Sequence, residues 1–184
     1  MPGRATSVRL FTALALPAGV SEELAAWARG WLSREGVRLV SAQNLHLTLS
    51  FLGERPRDEI GVLREVVQEF AAAAPLLAVG APILLPRRAP RTAGVEIKDS
   101  DGRLADIQRD LAAAVAGAGS WDLPRRGFHP HITLARMRPG THLPQPPPTP
   151  NLEFEPAALE LLRSFLQPSG ARYETLAATG FADF

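Results

Sequence analysis

The chain has no cysteine among its 184 residues. That excludes structural disulfides, thiolate zinc sites and a cysteine nucleophile in one step. Lysine is almost missing too: Lys98 is alone, so nearly all the positive charge is guanidinium, the group suited to two-pronged phosphate recognition. A formal net charge of +1 provides no broad field for polyanion binding, so only local arginine clusters count. Even those compete with a chain-wide bias toward Ala, Gly, Pro and Arg. The apolar run Leu10 to Leu16, behind Arg4 and Arg9, is too short to span a membrane. It continues into a folded-looking pattern without a persuasive small-residue cleavage site, a poor fit to a signal peptide. The expectation is a cytoplasmic monomer with no membrane partner, residues 1–184 forming one domain that buries roughly 70% of its unfolded surface.

What the chain does have is a short motif twice. Asn44-Leu45-His46-Leu47-Thr48-Leu49-Ser50-Phe51-Leu52 is matched, 85 positions on (46 to 131), by Phe128-His129-Pro130-His131-Ile132-Thr133-Leu134-Ala135-Arg136. Strand side chains alternate between faces. His46 and Thr48 therefore share one face, and Leu45, Leu47 and Leu49 the other; His131 and Thr133 likewise stand opposite Ile132 and Leu134. A lone histidine of this kind usually sits on a half-buried strand and does nothing more. Two histidines, each with threonine at the same offset, point instead to one site assembled from two similar halves.

Taken in order, Val8 to Leu16 predicts a buried strand ended by Pro17, then a helix capped by Ser21 with Leu24, Trp27, Ala28 and Trp31 on its apolar stripe. A short extended piece, Val37 to Val40, precedes the first motif strand, which Gly53 ends. Asp58 caps a second helix through Ile60, Leu63, Val67 and Phe70. Leu76 to Val79 and Ile83 to Leu85 read as a hairpin around Gly80-Ala81-Pro82. The arginine-rich 86–91 loop, a strand from Ala93 to Ile97 and a helix from Asp101 to Val115 then lead to the second motif strand. Pro139 to Pro150 reads as an extended surface segment. In the tail, Ala, Leu and Glu favour helix locally, while the turn at Pro168-Ser169-Gly170 allows a terminal β-hairpin. Interleaved helices and hairpins favour an α+β fold with antiparallel sheets, its halves related by a divergent duplication across a cleft.

Two imidazoles facing one another suit a reaction in which one atom loses a proton and another gains one, because an unperturbed pKa near 6.5 serves both roles. Threonine hydroxyls beside them can donate to non-bridging oxygens. Phosphodiester cleavage fits: neutral histidine deprotonates water or a ribose hydroxyl, the hydroxyls hold the phosphate, and a charged histidine protonates the leaving oxygen.

His-Leu-Thr-Leu-Ser-Phe-Leu-Gly at 46–53 and Pro-His-Ile-Thr-Leu-Ala-Arg at 130–136 resemble the paired motifs of the 2H phosphoesterase superfamily. Arg9 to Pro17 resembles the opening strand of its bacterial RNA 2′,3′-cyclic phosphodiesterase (2′–5′ RNA ligase) branch, and Leu162 to Leu166 with Gly170 and Tyr173 its closing hairpin. The likeness implies a bilobal, pseudo-two-fold α+β fold, two antiparallel sheets forming a central cleft with helices outside, and a strand-forming tail. It implies hydrolysis of RNA 2′,3′-cyclic phosphate ends to 2′-phosphates, with ligation as the microscopic reverse and no cofactor. Residue by residue it implies His46 and His131 as the catalytic pair, here assigned as general acid and general base, and Thr48 and Thr133 as phosphate ligands. Arg136 matches a recurring family position, yet strict alternation turns it away from His131 unless the strand bulges. Phe51 offers a stacking surface for a base, although alternation places it toward the core. Arg91-Thr92-Ala93-Gly94-Val95 lacks the tryptophan that relatives often carry there. Arg126, with Arg87, Arg88, Arg91 and Arg125, can either line the cleft mouth and hold an RNA backbone or sit on solvated loops. A metal site from His46, His129 and His131 is the competing use of the histidines, and it lacks an orienting carboxylate. Other small diesters, such as a cyclic nucleotide or 2′–5′ oligoadenylate, and a non-catalytic RNA-end-binding module are the alternative functions.

Overall fold

The computed structural model describes residues 7–123, 127–167 and 170–182. In chain order these form β1 (Ser7–Ala15), α1 (Ala18–Leu32), β2 (Val37–Leu39), a 3₁₀ turn (Ala42–Asn44), β3 (His46–Pro56), α2 (Glu59–Glu69), β4 (Leu77–Leu85) and β5 (Thr92–Asp99). Then follow α3 (Arg103–Ala118), β6 (His131–Met137), β7 (Glu153–Phe154), β8 (Ala158–Gln167) and β9 (Gly170–Thr179).

All nine strands join one curled sheet in the order β7-β4-β5-β6-β3-β1-β8-β9, with β2 also on β6, and every pairing is antiparallel. The two expected sheets are recognisable as two ladders, β3-β1-β8-β9 and β7-β4-β5-β6 with β2. Among the described residues their recorded ladder pair is Leu47 with Ile132. The seam between the halves therefore runs between the two motif strands.

The leucine faces hold the molecule together. Leu45, Leu47, Leu49, Ile132 and Leu134 are buried in one cluster with Leu24, Trp31, Leu63, Leu104 and Leu111 of the helices. α1 packs against β2 and β6, α2 against β3, β8 and β9, and α3 against β3 and β5. Burying a leucine is worth about 1.5–3 kcal/mol, so the core fixes which face of each motif strand stays open. β1, between β3 and β8, is buried on both faces. Leu10 and Leu14 join the helix-side core, while Phe11 and Ala13 form a small second cluster with Leu162 and Tyr173 on the open side.

Three local expectations change. α1 begins at Ala18 behind Pro17, and the Ser21 amide donates to the Pro17 carbonyl at 3.0 Å, so Ser21 lies inside the helix rather than capping it. Leu76 to Leu85 is not a hairpin: β4 is one strand, and Gly80-Ala81-Pro82 marks a slip in its register with β5 between Val79 and Pro82. β3 runs past Gly53, which takes φ +70° inside the strand. The tail is the hairpin β8–β9, although Pro168 and Ser169 of its turn lie outside the described residues. The proline-rich segment is extended and pinned to α1, with the indoles of Trp27 and Trp31 donating to the carbonyls of Pro148 and Pro144 at 2.8 and 3.0 Å. Among the described residues no helix is long and apolar enough to cross a membrane.

Candidate active site

Because Leu47 pairs with Ile132 in antiparallel sense, His46 stands beside Thr133 and Thr48 beside His131. Each histidine thus faces the other copy's hydroxyl. Diagonal neighbours in such a pair, here the two histidines, have β-carbons about 7–8 Å apart, room for one tetrahedral phosphate between the ring tips.

The backbone fixes both rings in the same way. Nδ1 of His46 donates to the Asn44 carbonyl and Nδ1 of His131 to the His129 carbonyl, each at 2.8 Å. A carbonyl only accepts, so both Nδ1 atoms carry the proton and both Nε2 atoms are left for proton exchange. All four motif side chains line a cleft of about 820 Å³.

The second half of each motif strand departs from simple alternation. In β3 the burial runs Leu49 and Ser50 both inside, Phe51 outside, Leu52 inside; in β6 it runs Leu134 and Ala135 inside, Arg136 outside, Met137 inside. The pairing partners agree. Thr12 and Ala13 of β1 face Ser50 and Thr48, skipping Leu49, and Ala93 and Gly94 of β5 face Ala135 and Thr133, skipping Leu134. Both strands therefore carry a bulge one residue past the threonine, which shifts everything beyond it to the opposite face. Phe51 and Arg136, which occupy equivalent positions, both turn onto the cleft face that carries the His–Thr couples. Phe51 is 62% exposed, so the core placement that alternation gave it is wrong. Arg136 lines the cleft with its guanidinium donating to Thr92 Oγ1 at 2.6 Å. Gly94 explains how β6 bulges there: a β-carbon at this position would lie 2.3 Å from the Ile132 carbonyl oxygen.

The two histidines differ in their surroundings. His46 is flanked by Phe11, centroids 5.0 Å apart, and by Tyr173, edge-on at 5.1 Å and 89°. Burial pushes its pKa below the usual value; the bond to the Asn44 carbonyl opposes that, and the nearby charges of Arg136 and His131 add to the lowering. The aromatic neighbour of His131 is the His129 ring, 6.2 Å away. Neither Phe11 nor Tyr173 was picked out as a site residue, nor were Arg9 and Arg38, which also line the cleft. A signal existed for two of them: alternation along β1 puts Arg9 and Phe11 opposite Val8, Leu10 and Leu14.

His129 does have a carboxylate nearby, contrary to the sequence reading, with Glu96 Oε1 at 3.8 Å from its Nε2. Even so, among the described residues no three metal-ligating side chains come together. Of the loop arginines, Arg91 lines the cleft and Arg88 lines a separate groove beside the proline-rich segment. Arg125 and Arg126 lie outside the described residues.

Known proteins are similar to this chain in sequence and in fold. A family model described as LigT like Phosphoesterase matches residues 14–81. An RNA 2′,3′-cyclic phosphodiesterase of Thermus thermophilus is 31% identical over 181 residues, 92% of this chain and 88% of that protein. A Geobacillus stearothermophilus protein of the same name is 33% identical over 147 residues, 76% of this chain, and the match spans 46% of that relative's length. The crystal structure of E. coli LigT in apo form superposes with a TM-score of 0.81 at 28% identity, covering 96% of this chain and 99% of that one. The same protein complexed with 3′-AMP gives 0.81 at 27% identity, covering 97% and 100%.

Proposed function

This chain belongs to the LigT-like phosphoesterase family of the 2H superfamily, and from that premise we propose that it hydrolyses the 2′,3′-cyclic phosphate at the end of an RNA to a 2′-phosphate. The observation that carries the reading is the pair of His–Thr couples lining one cleft, with each ring's Nδ1 held by a backbone carbonyl. In the proposed step a water oxygen bonds to phosphorus while the P–O3′ bond breaks. His131, the more open ring, takes the water proton, and His46 gives a proton to the departing O3′. Thr48, Thr133 and Arg136 hold the non-bridging oxygens as charge builds on them.

The lowered proton affinity of His46 does not oppose its role as acid. The phosphodiester brings a negative charge beside the ring, and an opposite charge favours the imidazolium. Phe51 provides a face for a base, and the structure of LigT with 3′-AMP supports a ligand of nucleotide size. The reaction uses no metal: a proton donor, a proton acceptor and phosphate ligands are all supplied by side chains. With a 5′ hydroxyl in place of water the same step joins two ends. O5′ bonds to phosphorus as P–O3′ breaks, His131 takes the hydroxyl proton and His46 protonates O3′, leaving a 2′–5′ linkage. The enzyme is proposed to act as a cytoplasmic monomer, 1–184 forming a single domain, since one chain builds the whole cleft.

The test is product analysis on an oligoribonucleotide ending in a 2′,3′-cyclic phosphate, with and without EDTA. A 2′-phosphate formed at an EDTA-independent rate is the expected result. No ring opening, with turnover of 2′–5′ oligoadenylate or a 3′,5′-cyclic nucleotide instead, transfers the chemistry to another diester. Binding without turnover makes the protein an RNA-end-binding module. Activity lost in EDTA and restored by zinc overturns the mechanism.

A further inference from the structure

His46 stands between two spaces. On one side is the catalytic cleft; on the other is a hollow of about 350 Å³ bounded by the 3₁₀ turn, the start of α1 and the inward faces of β8 and β9. Asn44, His46 and Tyr173 line both. The recorded hydrogen bond of the ring is the one from Nδ1 to the Asn44 carbonyl. One such bond fixes a tautomer and a pivot, but leaves a ring with empty space behind it free to swing about that pivot.

We propose that Tyr173, supported by Phe11, is a positioning residue that holds the His46 imidazole toward the cleft. The geometry is a three-ring cluster. Phe11 lies 5.0 Å from His46 at 37°, Tyr173 meets His46 edge-on at 5.1 Å, and Tyr173 meets Phe11 edge-on at 5.2 Å. These separations are those of favourable aromatic pairs. Phe11 is 3% exposed, anchored in β1 with Ala13 and Leu162, so the cluster hangs from the floor of the first half-sheet. Tyr173 comes from the terminal hairpin, whose tip is tied across by Asn44 Nδ2 donating to the Ala171 carbonyl. The last strand of the chain thereby supports a residue that acts near its beginning.

Arg136 and His131 from β6 act on the ring through their charge, and Glu160 from β8, Glu22 from α1, Arg9 from β1, Arg38 from β2 and Arg91 line the two spaces beside it. The aromatic cluster acts alongside them by excluding water, which disfavours the charged ring. Among the described residues the ring against His131 is that of His129, so the asymmetry belongs to the rings and not to the motif.

The inference rests on His46 being a reacting group, and His46→Ala checks that separately: retained turnover of the cyclic phosphate sinks the proposed function itself. With that variant inactive, Tyr173→Leu is expected to lower kcat about tenfold to a hundredfold, the cost of a misplaced reacting group. It should also raise the pH at which His46 titrates, followed by NMR of its ring protons. Tyr173→Phe should restore both rate and titration, because the ring and not the hydroxyl carries the role. Unchanged rate and titration in Tyr173→Leu overturns the inference, as does a Tyr173→Phe variant as damaged as the leucine one. Should the leucine variant not fold, the wild-type protein still decides. Its His46 ring protons must show ring-current displacement and cross-relaxation with Tyr173, and their absence overturns the inference.

Discussion

The two motif strands have the same backbone and different company. β3 and β6 share the His-x-Thr spacing, the Nδ1 bond to the carbonyl two residues back, and the bulge after the threonine. Around this common frame, His46 is enclosed by aromatic rings, whereas His131 is open with His129 and Glu96 as its neighbours. Beyond the bulge, one strand presents a phenyl ring and the other a guanidinium. In the proposed reaction this symmetric frame places two imidazoles around one phosphate, and the asymmetric dressing gives the pair distinct duties.

The largest effects should come from removing the shared frame. His46→Ala and His131→Ala are each expected to lose at least about a hundredfold in kcat on a cyclic phosphate. The halves then separate on a diester with a strongly activated leaving group, such as a nitrophenyl ester, which needs no acid. His131→Ala should remain impaired there while His46→Ala recovers most of its rate; the opposite pattern exchanges the two assignments. Thr48→Val and Thr133→Val come next, each losing about tenfold to a hundredfold in kcat/KM through a lost phosphate donor. Steady-state kinetics showing one of them near wild type would break the equivalence of the two copies.

Gly94→Ala strikes the bulge in β6 alone. Its β-carbon would meet the Ile132 carbonyl, an overpacking expected to cost about 1–3 kcal/mol of stability. Denaturant unfolding should register that loss, and activity should fall because Thr133 and Arg136 follow the distorted strand. Full stability and activity would mean the bulge does not depend on this close approach.

The smallest expected effect is electrostatic. The guanidinium of Arg136 helps hold the pKa of His46 down, after burial, so Arg136→Gln should raise it. The sign is worked out from the charged form: removing a nearby positive charge makes the imidazolium easier to form. The limb of the kcat/KM–pH profile that His46 governs then moves to higher pH, with kcat/KM itself lowered by the lost phosphate contact. A limb that stays put or moves down would show that Arg136 points away from the ring when substrate is bound.

Much of this site was legible in the residues. Period-two alternation of His and Thr against Leu and Ile put both couples on one face, and the repeat itself announced two halves. The elements were legible where pattern and breaker agreed, as at β1, α2 and β5. Errors fell where a strand slips register. Val79 to Pro82 looked like a turn because Gly-Ala-Pro has turn chemistry, yet β5 on one side and the buried Leu77 and Val79 keep β4 running through it. Phe51 was placed in the core because alternation was extended through Leu49, where the strand bulges.

The amino-acid sequence by itself determined the His–Thr couples, their spacing and the apolar faces that must be buried, because those depend on local geometry that any strand obeys. It did not determine which residues beyond each threonine reach the cleft, nor that Phe11 and Tyr173 close on His46 from strands 162 positions apart (11 to 173). Only the tertiary structure decided those. A bulge is set by pairing with a neighbouring strand, and a ring's proton affinity by whatever packs against it. Neither partner is near in sequence.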